Sequence, residues 1–162
     1  MRNRTPPPDD LRADPTFLRT GGAEIGRDGC RVPIPWTTDG PSLGFGSGDP
    51  WLPQPASFAG LSVQAEQGVA GSTLELYRSA LAHRRALTVA QTVDWLPSPD
   101  GSLSFRRLAA DGSLVVCVVA CTDVAVPLPA YDEVLVASID LEHGPDGGTL
   151  LPGDAAVWLR VR

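Results

Sequence analysis

Apolar and polar positions follow two different spacings along the chain. Between residues 72 and 87 the apolar residues recur at helical spacing, which predicts an amphipathic α-helix. Its apolar side comprises Leu74, Tyr77, Ala80, Leu81 and Ala82, and continues to Leu87. Ser72 and Glu75 have the spacing of a capping box, and Gly71 interrupts the chain just before them. The helix is the clearest single element in the sequence.

From residue 89 the spacing changes to that of β-strands. An Asp-Gly turn at Asp111 and Gly112 joins two predicted strands, and residues 115–120 are so continuously apolar that they predict a central strand. Further strands are predicted at 125–128, 133–138 and 155–161, with turns at 98–101, 127–131 and 144–148. Five or six antiparallel strands within about 70 residues indicate a small β-sandwich or curled sheet.

The first third of the chain has little periodicity. Residues 1–22 are polar and proline-rich, with a short helical turn predicted at 9–19 that is broken at Asp14-Pro15. Residues 58–66 form a connector with a short extended piece at 61–63. Residues 26–51 form a long loop that contains two Trp and four Pro. Because disordered segments are poor in aromatic residues, we expect this loop to hold one shape against a neighbouring surface.

The loop carries a specific resemblance. The run RDGCRVPIPW, followed by GFGSGDPWLP, resembles a segment of the α-glucosidase (oligo-1,6-glucosidase) branch of family 13 glycoside hydrolases, in the α-amylase superfamily. The matching residues are Arg27, Asp28, Arg31, Pro33, Trp36, Gly44, Phe45, Gly48, Pro50, Trp51 and Pro53. Val32 and Ile34 depart from the Thr and Met that are usual there. With the β region, which resembles the C-terminal domain of these enzymes, the likeness covers residues 9–162.

The resemblance implies an architecture. In that family the loop follows the eighth strand of a (β/α)8 barrel and lines the sugar pocket, and the helix is the last barrel helix. A barrel needs about 250 residues, so we expect a mainly β protein that lacks it. The implied division is a flexible N-terminal segment at 1–25, a remnant of the barrel end at 26–88, and a C-terminal antiparallel β domain at 89–162. The helix is then expected to lose its natural docking surface.

The resemblance also limits the chemistry. Retaining glycosidases need two carboxyl groups about 5–5.5 Å apart, and the family's catalytic acids precede the first residue of this sequence. We therefore predict no catalytic residue here. Asp28, between two arginines, is expected to anchor the loop by charge-assisted hydrogen bonds, whereas Asp39 and Asp49 are not held in any pair. Arg27 matches an arginine that contacts the sugar, which implies substrate binding only when a barrel is present.

Other candidate groups give weaker signals. Trp36 and Trp51 either stack on sugar rings or attach the loop to the barrel body, and the second interpretation is favoured. The GFGSGD run lacks the Gly-Lys order of a phosphate loop. His83 and His143 have no partner at metal-ligand spacing, so both are expected to be solvated and neither a metal nor another cofactor is predicted.

Composition excludes some partners. The net charge is −6 and the sequence has no Lys, which argues against nucleic acid. Cys30, Cys117 and Cys121 are expected to be reduced thiols. No signal peptide and no run of about 18 apolar residues is present, so we expect no membrane contact and a cytoplasmic location.

Two main hypotheses follow. The chain is either a C-terminal fragment of an α-glucosidase-like hydrolase of terminal α-glucosidic bonds, inactive alone, or a non-catalytic accessory subunit that completes a separately encoded barrel in trans. Whether it counts as an enzyme is left open. A third class, a free-standing carbohydrate-binding module, needs an exposed aromatic platform. Only Trp95, Tyr131 and Trp158 are available for one, and Trp158 alternates with apolar neighbours as core residues do.

Overall fold

A computed structural model describes residues 7–87 and 92–161 of the chain. Contacts divide it into two compact units, Met1–Val69 and Ala70–Arg162. The first six residues of the predicted flexible segment and residues 89–91 of the predicted β region lie outside the described ranges.

The first unit contains short helices joined by irregular backbone. Its α-helices are α1, Pro15–Arg19, and α2, Val63–Glu66, and its 3₁₀ helices are Asp9–Leu11, Asp28–Cys30, Pro41–Gly44 and Ala56–Leu61. Asp14 caps α1 by accepting the Thr16 N–H at 2.8 Å, so the Asp14-Pro15 step begins a helix as well as ending a turn. The extended piece predicted at 61–63 is wrong, because Ser62 is instead the N-cap of α2.

The long loop has a defined internal shape. The N–H groups of Trp36 and Thr37 both donate to the Leu43 carbonyl, at 2.7 and 2.9 Å. The Gln54 amide donates to the carbonyls of Pro33 and Ser42, at 3.0 Å each. These bonds close the loop upon itself, as expected for a segment that holds one conformation.

The second unit is a helix with two antiparallel sheets. Helix α3, Thr73–Ala86, precedes eight strands: β1 Asp94–Leu96, β2 Ser102–Leu108, β3 Leu114–Ala120, β4 Val126–Pro127, β5 Glu133–Ala137, β6 Glu142–His143, β7 Thr149–Leu151 and β8 Ala156–Val161. One sheet has the order β1-β2-β3-β8-β5 and the other has the order β4-β7-β6. The predicted β-sandwich is confirmed, although the β6–β7 hairpin was not foreseen apart from its turn.

Strand β3 is central, as its apolar run predicted. It pairs with β2 on one side and β8 on the other. Val116 and Val118 face a core that includes Val157 of β8 and Leu151 of the small sheet. On the opposite face, Val115 belongs to a second cluster against which Leu87 and Trp158 pack. Both faces of β3 are therefore covered, which explains the absence of polar residues in this strand.

Helix α3 confirms the sequence prediction but finds a support that was not expected. The Ser72 hydroxyl accepts the Glu75 N–H at 3.2 Å at its start. Leu76 and Ala80 lie beside Val136 of β5, so the helix packs on the sheet within its own unit. The predicted loss of its natural docking surface, the barrel strands, stays a prediction, and β5 supplies a different support. The other part of its apolar stripe remains open, since Tyr77 is 63% exposed and Leu81 44%.

Candidate functional site

The predicted substrate-side segment is held by two buried carboxylates. Asp28 is fully buried, and its Oδ2 accepts the N–H groups of Ala13 and Asp14 at 2.9 Å each. Asp14 is 3% exposed, and its Oδ2 accepts the Arg27 N–H at 3.0 Å. The two carboxylates thus cross-link the segment before α1 to the start of the long loop.

Arg31 offsets one of the two negative charges of this pair. Its Nη1 lies 2.8 Å from Asp14 Oδ2 and 3.6 Å from Asp28 Oδ1. The predicted anchoring role of Asp28 is confirmed by this geometry, although its partners are backbone N–H groups and Arg31. The Arg27 guanidinium does not take part.

Gly26 allows the close approach that the anchor needs. Its φ is +70°, and a Cβ built on it would lie 2.5 Å from Asp14 Cγ. A side chain at this position would therefore both strain the backbone and displace the carboxylate. Glycine at 26 lets Asp14 reach the N–H of the next residue.

The electrostatics of Asp14 oppose an acid role. The Arg27 N–H, and after it the Thr16 N–H, lower the pKa of Asp14 to about 2. A general acid in glycoside hydrolysis needs a raised pKa, so Asp14 stays ionised where such a group must carry a proton. The two buried carboxylates of this unit therefore act as anchors.

Arg27 is presented outward from this anchor. Its backbone N–H is bound to Asp14, and its carbonyl accepts the Cys30 N–H at 2.9 Å. The side chain is exposed, and among residues 7–87 and 92–161 its guanidinium has no hydrogen-bond or ion-pair partner. A fixed backbone with an open, planar cation suits recognition of an external polar ligand. Its predicted sugar contact stays a prediction.

The long loop also exposes large apolar side chains. Ile34, Trp36, Phe45 and Trp51 are 63%, 51%, 58% and 60% exposed. Exposed apolar groups indicate a surface that another molecule covers where they form one contiguous patch. Both interpretations of the two tryptophans, sugar stacking and attachment to a barrel, therefore stay predictions. Asp39 and Asp49 are exposed, as expected of carboxylates outside any pair.

The other candidate groups are structural. Burial raises the pKa of the Cys117 thiol to about 11, which makes it a poor nucleophile. Cys30 and Cys121 are exposed free thiols. His143 is exposed as predicted, whereas His83 is half-buried on α3. Within the described ranges, no three His, Cys, Asp or Glu side chains come together as metal ligands.

The three aromatic residues considered for a binding platform have different surroundings. Trp158 packs against the second apolar cluster, and Tyr131 packs against the first. Trp95 is 68% exposed, with its ring 5.6 Å from that of Phe105 in an edge-to-face arrangement. The three aromatic residues considered for a binding module therefore lie in different environments.

Sequence reasoning missed Asp14 as part of the site. It lies in the segment predicted to be flexible, and its Asp-Pro step was interpreted as a break. The available signal was local, because Asp at the N-cap followed by Pro at the first helical position is typical of a helix start. Its second role, as acceptor for Arg27, has no local sequence signature.

The comparisons agree with the resemblance. No protein-family model matches the sequence. A "Probable alpha-glucosidase" of Rhizobium meliloti (strain 1021) is 44% identical over 61 residues, which are 38% of this chain and 11% of that protein. The α-glucosyl transfer enzyme XgtA superposes with a TM-score of 0.77 and 30% identity over 100% of this chain. The trehalulose synthase MutB from Pseudomonas mesoacidophila MX-45 does so with a TM-score of 0.71 and 21% identity over 99%.

The chain spans about a third of those solved proteins, 31% of XgtA and 33% of MutB. Within the described residues, no helix has both the length and the apolar character that a membrane span requires.

Proposed function

We propose that this chain, whose sequence and fold resemble the C-terminal part of α-glucosidase-type family 13 glycoside hydrolases, completes the sugar pocket of a (β/α)8 catalytic barrel. The parent reaction is the retaining hydrolysis of terminal α-glucosidic bonds. Arg27 binds the sugar in that assembly. Segment 26–88 acts as the end of the barrel, and 89–162 as the C-terminal β domain.

One observation carries the proposal. The backbone of Arg27 is bound at both its N–H and its carbonyl, while its guanidinium is left open. The guanidinium is therefore available to a ligand from outside the chain, while the backbone that carries it is held. An always-charged, planar donor set matches the hydroxyl groups of a sugar held beside carboxylates.

The chain alone is expected to be inactive. The buried carboxylates of the first unit, Asp14 and Asp28, are both occupied by backbone N–H groups and Arg31. An arginine without the acid pair has no means of cleaving a glycosidic bond. The catalytic groups would be those of the barrel.

The exposed apolar surfaces support a barrel partner. In the first unit they include Trp36 and Trp51, and in the second they include the outward stripe of α3 at Tyr77 and Leu81. These surfaces could pack against a barrel in the same polypeptide or against a barrel supplied as a separate chain. Complementation in trans, as an accessory subunit, is therefore the alternative form of the same proposal.

A mixing experiment tests the proposal. The chain is combined with the barrel of an α-glucosidase-type relative truncated after its eighth strand, and glucose release from maltose or a nitrophenyl α-glucoside is measured. We expect release only from the mixture, and its loss with Arg27→Ala. Arg19→Ala is the matched control, because it removes another exposed arginine of the same unit.

Two outcomes would contradict the proposal. One is turnover by the chain alone that survives Arg27→Ala. The other is a mixture in which both chains bind each other but release no glucose.

The proposed location is the cytoplasm, which agrees with the exposed free thiols of Cys30 and Cys121.

A further inference from the structure

We propose that Asp14 is the positioning residue for Arg27, holding the backbone from which the sugar-binding guanidinium projects. The inference rests on the proposed function of Arg27. It assigns a specific role to a residue thirteen positions earlier in the chain, in a segment that the sequence marks as flexible.

The first step is the position of the contact. Asp14 Oδ2 accepts the N–H of Arg27 itself at 3.0 Å, and Asp14 Oδ1 accepts the Thr16 N–H at 2.8 Å. One carboxylate therefore joins the first turn of α1 to the residue that carries the guanidinium. Such charge-assisted bonds are the stronger class of hydrogen bond.

The second step is that the opposite end of Arg27 is also held. Its carbonyl accepts the Cys30 N–H, and Asp28, directly after it, is fully buried. With both peptide groups engaged, Arg27 has φ −115° and ψ 8°. The backbone is set before any ligand arrives.

The third step is that the side chain itself is not held. Since the Arg27 guanidinium has no partner among the described residues, its direction depends on the backbone and on rotamer preference alone. A backbone that swivelled would lower the population of the binding-competent orientation. Binding a ligand costs conformational entropy because it restricts the guanidinium to one orientation, and a backbone that is already fixed removes part of this cost.

A purely structural role for Asp14 is the competing explanation. It would predict weaker folding of the first unit with no special effect on Arg27. Ser62→Ala is a matched control, because Ser62 is likewise buried, caps a helix in the same unit, and has no hydrogen bond to Arg27.

The first arm of the test uses the full chain alone. The ¹H–¹⁵N amide shift and the N–H/Hα coupling constant of Arg27 are measured by NMR in wild type, Asp14→Asn and Ser62→Ala. The deciding signal is the coupling constant, which reports φ of Arg27; we expect it to change in Asp14→Asn and to stay at its wild-type value in Ser62→Ala. An unchanged coupling constant in a folded Asp14→Asn chain would overturn the proposal.

The second arm uses the mixture with the truncated barrel. Asp14→Asn should lower kcat/KM for a nitrophenyl α-glucoside by on the order of 10- to 100-fold. In the double variant with Arg27→Ala, Asp14→Asn should cause no further loss of kcat/KM, because both changes remove the contribution of the Arg27 guanidinium to sugar binding. Additive losses, or an equal loss in Ser62→Ala, would mean that Asp14 is only structural.

The two arms separate the two proposals. If the wild-type mixture releases no glucose, the proposed function fails, and the NMR arm still decides whether Asp14 sets the Arg27 backbone. If the mixture is active, loses activity with Arg27→Ala and is unaffected by Asp14→Asn, the proposed function stands and the positioning role is wrong.

Discussion

The stability of the β unit should depend on Val118, at the centre of β3. This side chain is 2% exposed, and its strand is paired on both sides, with Ser104 of β2 and Val157 of β8 as neighbours in register. The cluster around it consists of apolar side chains from both sheets, including Leu151 and Leu159. Val118→Asp would place a carboxylate there without a cationic partner.

The magnitude follows from two contributions. In Val118→Ala the loss of two buried methyl groups costs about 2 kcal/mol, from roughly 0.8 kcal/mol per carbon plus a small cavity. In Val118→Asp the carboxylate fills that space, and its unpaired buried charge costs roughly 3–5 kcal/mol, or the equivalent work of protonating it, in addition to the lost apolar burial. Because domains are stable by only about 5–15 kcal/mol, the Asp variant should unfold most of the sheet at 25 °C.

The assay is urea unfolding followed by far-UV circular dichroism, with Val118→Ala as the graded variant. Val124→Asp is the control, since Val124 is 66% exposed in a turn of the same unit. We expect a loss of about 2 kcal/mol for Val118→Ala and no folded baseline for Val118→Asp. A folded Val118→Asp chain within 1 kcal/mol of wild type, measured alongside an unchanged Val124→Asp, would refute the packing described for β3.

Three further predictions concern single groups. Asp14 has a folded pKa of about 2, lowered from 3.8, so the stability that it contributes is fully present above about pH 4 and is lost as the pH falls toward 2. In a profile of unfolding free energy against pH, measured by urea unfolding, Asp14→Asn should therefore lose less stability below pH 4 than the wild type does. An equal loss in both proteins would contradict this. Thiol alkylation followed by mass spectrometry should label the exposed Cys121 and spare Cys117 until the sheet unfolds, and rapid native labelling of Cys117 would show that the thiol is accessible. Gly153→Ala should destabilise the β unit by about 1–3 kcal/mol, because the new Cβ would overlap the backbone carbonyl carbon of Asp123. A wild-type melting curve for this variant would show that the turn relaxes at no cost.

Local sequence patterns determined much of the fold. The helix at residues 72–87, the turn at Asp111 and Gly112 and the buried strand at 115–120 all depend on spacings of a few residues. Such patterns act through backbone geometry and burial of one face, so they can be read without knowing what lies opposite. The motif between Arg27 and Trp51 was equally explicit, because its residue types and spacing are unusual.

Two- and three-residue strands were beyond this kind of reasoning. The β6–β7 hairpin has strands too short to show a period, and only its turn at 144–148 was predicted. The piece at 61–63 failed for the same reason, since a few apolar residues suit an extended segment and a helix start equally well. In both cases hydrogen bonds to a distant segment determine the conformation: β7 pairs with β4, and the N–H groups of Val63 and Gln64 donate to the carbonyls of Pro35 and Trp36.

What the sequence by itself determined about this protein is its family resemblance, its β-sandwich and the motif that contains Arg27. Only the tertiary structure decided that Asp14, in a segment without periodicity, reaches the Arg27 N–H, and that α3 packs on β5. The reason is physical: hydrogen bonds and side-chain packing act over a few ångströms in space. Two groups separated by thirteen residues, as Asp14 and Arg27 are, or by about sixty, as Leu76 and Val136 are, leave no mark of their contact in the local pattern.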